Sequence, residues 1–339
     1  MEIKQYAPVV IPTLNRYEHF KRCLESLEGC TGAEHTDVYV ALDYPPSDKY
    51  VEGWKKMDAY LAEKEKDNGF KELIVYRRKE NYFFSGKGNL KTAVDDLPQN
   101  VDRYIATEDD NEFSPCFLEY MNQNFEKYEN DSSVFRICGY LPFRHKVDDS
   151  CYSQFKADRY IAWGVGIWKT KEKDYKSFYS QENVIKIAQD KHVREYYEKD
   201  RLECILTSLM KMSKGGSMLG DVVVTSYMEY RGLRCILPTK SMVRNHGWDG
   251  SGQHGGYAAG YKEQEICTNR DYEIIEAPEQ FTLDFEKQMH LDRRNRKRTL
   301  NEIAAAVTWY LYKYTGLFCE FKLLHDWGKT IKNKLYGNK

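Results

Sequence analysis

Three carboxylates stand in a row at Glu108, Asp109 and Asp110, between the apolar tripeptide Tyr104-Ile105-Ala106 and a helix start at Ser114-Pro115. Adjacent carboxylates repel one another, and a bound divalent cation would remove that penalty while organising a diphosphate. A solvated acidic turn is the alternative reading of the same three residues. The flanking pattern favours chemistry. Ser114 offers an N-cap hydroxyl and Pro115 suits the first helical turn. Phe117, Leu118, Met121, Phe125 and Tyr128 then recur at helical spacing, so one helix face packs inward. Acids placed in this way end a short buried strand, where open α/β sheets bind ligands.

The elements needed to position these acids are legible upstream. Ala7–Ile11 reads as a strand closed by Pro12 and Thr13, and a helix from about Tyr17 buries Phe20, Cys23, Leu24 and Leu27. Val38–Leu42 is a second strand ending at Asp43, followed by a polar helix through about Lys64 and a strand at Leu73–Tyr76. A loop at Glu80–Gly88 and a helix through Leu97 lead into the acid-bearing strand. Strands separated by helices of this length predict a mainly parallel sheet with right-handed crossovers. No GxGxxG follows the first strand and no GxxxxGK[ST] occurs, which disfavours dinucleotide and P-loop folds.

The loops after the strands carry polar groups suited to a nucleotide. Pro12, Thr13, Asn15 and Arg16 offer a hydroxyl, an amide and a guanidinium for polar edges and phosphates, although Asn-Arg after a strand is also an ordinary loop. Asp43 can accept a hydrogen bond from a base imide N–H. Gly86-Lys87-Gly88-Asn89 opens a helix, where Lys87 can meet a phosphate. Further on, Asp158–Lys169 sets Trp163 and Trp168 around Gly164 and Gly166; such rings stack on sugars or fill a core. Asn245–Gly256 is glycine-rich and reads as a mobile loop able to close over a ligand. His254 within it can complete a metal shell or touch a diphosphate, and imidazole suits Mn²⁺ better than Mg²⁺.

Composition narrows the function classes. The 339 residues carry a net charge of −1, so nothing global points to nucleic acid. Nine cysteines without a CxxC pair read as reduced thiols, and the opening MEIKQYAPVV has no signal-peptide pattern, so a cytoplasmic location is expected. No apolar run reaches transmembrane length. Charge is uneven: Arg293, Arg294, Arg296, Lys297 and Arg298 form a basic run, followed by an apolar-aromatic stretch and a lysine-rich end. That combination suits an interfacial helix on an anionic leaflet, or a helix packed on the main domain or in a homodimer interface.

Together, PTLNR after the first strand, an acid ending the second and IATEDDNEFSPCFLEYM resemble a GT-A glycosyltransferase. The likeness is to bacterial GT2-type sugar transferases and the N-acetylglucosaminyltransferase I group, which use Glu-Asp-Asp. GDVVVTSYMEYRGLRCILPTKSMVRNHGWDGSGQHGG resembles the later half of the same family. The resemblance spans roughly residues 5–256 and implies a GT-A domain at 1–265, with a donor half at 1–112 and an acceptor half at 113–265. A helical extension at 266–339 would follow. It further implies a nucleoside-diphosphate sugar donor, UDP-linked, and a glycan or lipid-linked acceptor in surface polysaccharide synthesis. Asp110 and His254 would serve Mn²⁺ or Mg²⁺, Glu108 and Asp109 the donor, and Trp163, Gly164 and Trp168 the sugar or acceptor. Asp221 would be the base of an inverting displacement; its alternative is the N-cap of a helix beginning near Val222, with Asp249 the next candidate base. Asp221 stands in GDVVV without the neighbouring tryptophan common in that family. A nucleotidyltransferase, or a catalytically silent sugar- or nucleotide-binding protein, is the competing class.

Overall fold

A computed structural model describes residues 3–142, 151–252, 256 and 258–318. The chain divides into two compact units, one of Met1–Glu172 with Arg234–Thr282, the other of Lys173–Leu233 with Leu283–Lys339.

The first unit is built on an eight-stranded sheet. Its strands are β1 (Val9–Thr13), β2 (Asp37–Leu42), β3 (Glu72–Arg77), β4 (Arg103–Ala106), β6 (Val134–Cys138), β7 (Gln154–Ala157), β8 (Val165–Trp168) and β9 (Arg234–Pro238), in the order β3-β2-β1-β4-β8-β6-β9-β7. The β1–β2, β2–β3, β1–β4 and β6–β9 pairs are parallel, whereas β8 and β7 run against their neighbours. The mainly parallel α/β sheet expected from the sequence is therefore present. Strands β1, β2 and β4 are almost wholly buried, as in sheets covered on both faces. On one face lie α1 (Tyr17–Glu28), α2 (Asp48–Lys64) and α4 (Phe117–Tyr128), which contribute Leu24, Met57, Leu61 and Phe117 to the core. On the other, α3 (Asn89–Asp95) buries Ala93 and Val94 against Tyr39 and Ala106.

Helix α4 buries polar residues as well as apolar ones, because each amide has a tertiary partner. Asn122 Oδ1 accepts from the Ala7 amide at 2.7 Å, Gln123 donates to the Tyr272 carbonyl at 2.8 Å, and Asn124 donates to Gln154 at 2.7 Å. Buried amides paired in this way fix the helix in one position against the sheet. A separate two-stranded ribbon joins β5 (Asn111–Phe113) to β10 (Val243–Asn245) in antiparallel register, with Asn111 opposite Asn245. The ribbon ties the acid run to a segment more than a hundred residues later.

The second unit is helical: α6 (Gln181–Gln189), α7 (Lys191–Lys199), α8 (Glu203–Ser213), α9 (Gly220–Arg231) and α11 (Leu300–Thr315), with most of α5 (Lys169–Phe178) and of α10 (Glu279–Asn295). Its helix ends follow local chemistry. Ser180 and Asp190 cap α6 and α7, and Thr299 with Glu302 forms a reciprocal capping box on α11. Four residues of the basic run pair with acids of the same chain. Arg293 and Arg294 lie 2.9 and 3.5 Å from the fully buried Asp200 carboxylate, Arg298 lies 2.6 Å from Glu203, and Arg296 pairs with Glu302. These arginines clamp α10 and α11 onto α7 and α8. Residues 319–339, the lysine-rich end, lie outside the described residues. Among the described residues no helix is long and apolar enough to cross a membrane.

Removing one partner from a buried ion cluster leaves uncompensated charge. Asp200→Ala should therefore destabilise the chain by roughly 3–5 kcal/mol. The measurement is the urea midpoint by far-UV circular dichroism, and an unchanged midpoint would show that the arginines are dispensable to the helical unit.

Candidate functional site

Strand order reverses between β1 and β4, and the carboxyl ends of both lie at this switch point, where open sheets place ligands. Thr13 ends β1, Arg16 precedes α1, and Asp109 and Asp110 follow β4. The fold brings these four side chains into one cluster. Thr13 Oγ1 donates to Asp109 Oδ2 at 2.9 Å, and the Arg16 guanidinium bridges both acids, bonding Asp109 Oδ1 and reaching Asp110 Oδ2 at 2.8 Å. Burial pushes the Asp109 carboxyl up, against the opposing pull of Arg16. Burial acts to lower the Arg16 pKa, but Asp109 and Asp110 outweigh it and hold the guanidinium above its ordinary range.

The remaining oxygen of Asp110 is met from the β10 side. Asn245 Nδ2 donates to Asp110 Oδ1 at 2.8 Å and to Asn111 Oδ1 at 3.0 Å, while its own Oδ1 accepts from the Gly247 amide at 3.0 Å. The His246 amide donates to the Asp110 carbonyl at 2.8 Å. Gly247 packs so closely that a Cβ there would overlap Asp110 Oδ2. A ring of charge fixes this ribbon: Glu112 accepts from Arg244 at 3.0 Å and contacts His246 Nε2 at 2.6 Å. His246 and Arg244 hold the Glu112 carboxyl below its usual range. Asn245 and Gly247, expected only as part of a mobile glycine-rich loop, lie against Asp110. The only local signal was the Asn-His-Gly triplet, since their role depends on the β5–β10 pairing.

Several expected ligand contacts are already engaged within the chain. Asp43, buried at the end of β2, accepts from the amides of Tyr44, Tyr82 and Phe83 at 2.9, 2.7 and 3.0 Å. A carboxylate offers about four lone-pair sites, so one is left for a base imide. Its first role is to hold the loop after β3. Asn89 is corrected more strongly. It is buried, donates to the Ala41 carbonyl at 2.7 Å and accepts from Arg78, so it straps the start of α3 to β2. Lys87 is exposed and pairs with Glu80. Pro12 lies within β1, and Asn15 turns the chain where Gly53 of α2 approaches its carbonyl too closely for any Cβ. Glu108 is exposed, and its carbonyl accepts from Asn111.

The tryptophan segment divides. Trp168 is only 3% exposed, edge-on to Phe125 at 5.1 Å, with Lys171 over its ring at 4.0 Å. It fills the core and has no face for a sugar. Gly164 is explained by its φ of 67° and by Val243 and Phe117, which fill the space a Cβ would need. Trp163 is partly buried in a ladder with Tyr140 at 4.6 Å and Tyr261 at 5.4 Å, and Tyr261 stacks on Trp248 at 4.7 Å. Asp221 belongs to the second unit, exposed in the first turn of α9, whose N-cap is Leu219 rather than Asp221. His254 lies outside the described residues.

The residues present fit a divalent cation of one kind only. Among the described residues no three His, Cys, Asp or Glu side chains converge as a metal cage. Asp110 Oδ2 is the oxygen that faces the cluster, and its present partner is Arg16. Such a donor set suits an ion that takes most of its ligands from substrate phosphates and water.

No family model matches the chain, and no curated protein matches it. Solved structures do. They include S. aureus TarS 1–349 in complex with UDP-GlcNAc, at 12% identity and TM-score 0.41, covering 91% of this chain and 73% of that one. The mannosyltransferase PcManGT from Pyrobaculum calidifontis, in complex with GDP-Man and Mn²⁺, matches at 13% identity and TM-score 0.41 over 98% and 88% of the two chains. S. aureus TarS also matches at TM-score 0.34 and 14% identity over 50% of this chain, which spans 30% of that one. Likenesses at these scores carry no argument about activity.

The glycine-rich loop is latched at Asp249. Its Oδ1 accepts from Ser251 N and Oγ at 2.9 and 2.6 Å, and Oδ2 meets His19 Nε2 of α1 at 3.0 Å. Burial would raise the carboxyl, but Ser251 and then His19 bring it down to about 2. The folded value lies below the unfolded value of about 3.9, so the latch holds fully above about pH 4 and is lost toward about pH 2. Asp249→Asn should reduce amide protection of residues 246–252 at about pH 5 and make no difference near pH 2. A difference of equal size at both values would rule out ionisation as the source of the latch.

Proposed function

We propose that the chain is an inverting, metal-dependent GT-A glycosyltransferase that moves a sugar from a nucleoside-diphosphate donor, UDP-linked, to a glycan or lipid-linked acceptor. The observation that carries the reading is the Thr13–Arg16–Asp109–Asp110 cluster at the switch point of the sheet. It combines a guanidinium suited to phosphate oxygens with two carboxylates, beside a strand-end acid at Asp43. A divalent cation held by Asp110 and the diphosphate would supply Lewis-acid charge to the leaving group. Asp43 keeps one lone pair for the base imide while it holds the loop of Tyr82 and Phe83. Trp163 and its aromatic neighbours offer C–H-stacking surface for a sugar or acceptor. Asp221, exposed and ahead of β9, takes the acceptor hydroxyl proton in this reading.

Asp110→Ala should abolish Mn²⁺-dependent stabilisation by UDP while the free chain still folds. Full donor turnover in that variant would remove Asp110 from the account. A chain that binds the donor but never turns it over would instead be the silent binding protein.

The base is tested separately. Asn cannot take a proton, so Asp221→Asn should lower turnover by roughly 10²–10⁴-fold with donor affinity unchanged. Wild-type turnover would place the base elsewhere, with Asp249 next.

A further inference from the structure

The cluster has a property that a simple acidic metal site lacks. Every carboxylate oxygen of the pair already has a protein donor: Thr13 and Arg16 on Asp109, Asn245 and Arg16 on Asp110. The two acids are 6% and 5% exposed, and the Arg16 side chain is 22% exposed. Two buried carboxylates without a counter-charge would be strongly unfavourable, and Arg16 supplies that charge from within the chain.

We propose that Arg16 is a resident counter-ion that fixes the order of binding: it keeps a divalent cation off Asp110 until a diphosphate draws the guanidinium away. The inference rests on the donor reading above. An ion on Asp110 Oδ2 would sit about 2.1 Å from that oxygen, and Arg16 NH1 is 2.8 Å from it, so the two cations would be within about 5 Å. At an effective dielectric constant of about 20, repulsion between a dication and a guanidinium at that distance is large against thermal energy. Sharing the oxygen is therefore unfavourable. Gly247 packs against the same oxygen, since a Cβ there would overlap Oδ2 and lie 3.4 Å from Arg16 NH1. Asn245 also pins Oδ1.

A diphosphate changes the balance. It presents several anionic oxygens in the geometry a planar guanidinium binds best, and it brings enough negative charge to hold both Arg16 and a metal ion. Once Arg16 turns to the phosphates, Asp110 Oδ2 is released for the cation. The cation then arrives with the diphosphate or after it, never before. Binding involves no covalent step.

The experiment is calorimetric titration of the full chain with Mn²⁺ alone, and with UDP alone in EDTA. Wild type should bind UDP without metal and bind Mn²⁺ weakly without UDP. Arg16→Gln should reverse this pattern, gaining at least about tenfold in Mn²⁺ affinity and losing about tenfold or more in metal-free UDP affinity. The gain must vanish when Asp110→Ala is added, which distinguishes the site from surface binding of Mn²⁺. If Arg16→Gln does not fold, Arg16→Lys keeps the charge but cannot bridge both acids, and its Mn²⁺ affinity should still rise. Mn²⁺ affinity unchanged or weakened in the folded variant overturns the proposal. If UDP fails to bind wild type with or without Mn²⁺, the donor reading falls, and the Mn²⁺ comparison still decides the role of Arg16.

Discussion

Two carboxylates that share one guanidinium at the end of a buried strand constrain this fold more than any other contact. Asp109 and Asp110 are nearly inaccessible, and burial alone drives such groups toward the neutral form. Arg16, Thr13 and Asn245 converge on them from three different elements and supply donors to all four carboxylate oxygens. That convergence requires β1 beside β4, α1 beginning directly after β1, and β10 paired with β5. If any of the three were displaced, a buried charge would be left without its partner. A cluster that demands so much of its surroundings is poorly explained as surface decoration. Low dielectric around it also strengthens whatever charge enters.

The same principle organises the second unit with the opposite sign in excess. Asp200 is fully buried, and His290, Arg293 and Arg294 surround it. Burial would raise the carboxyl, but hydrogen bonds and charge from His290 and Arg293 hold it below its ordinary value. Counted along the sequence, the arginines of 293–298 form a cationic patch. Counted in space, they are partners of Asp200, Glu203 and Glu302. A run of one charge in a sequence gives the sign of a segment but not what neutralises it, and here the acids lie near position 200 as well as within α11.

Legibility in the sequence followed the range of the interaction. The alternation of apolar runs and helices marked β1 through β4 and the parallel half of the sheet, because burial on both faces writes itself into contiguous residues. The acid run and the Ser-Pro helix start were visible for the same reason. Asn245 and Gly247 were not, because their importance comes from a ribbon that pairs residues 111–113 with 243–245. Trp168 looked like a ligand residue because a tryptophan beside glycines has two readings, and only Phe125 and Lys171 decide between them. Asn89 belongs to the same class. An amide after a glycine suggests a ligand until the Ala41 carbonyl is seen opposite it.

Asp43 shows how far one strand-end side chain can be committed to the fold. Three backbone amides from two separate loops converge on it, and Trp54 Nε1 donates to its carbonyl at 2.9 Å. The carboxylate thus sets the position of the loop that carries Phe83 and Phe84, both half exposed and packed edge to face at 5.3 Å. Replacing it with a neutral residue would free the loop as well as remove an acceptor. A fall in nucleotide affinity on its own would not separate the two effects. The geometry does offer a separation: the loop depends on charge at Oδ1 and Oδ2 together, whereas a base imide needs only the one remaining lone pair. An acid at a strand end is therefore better judged by how many of its acceptor sites the chain leaves open than by its position alone.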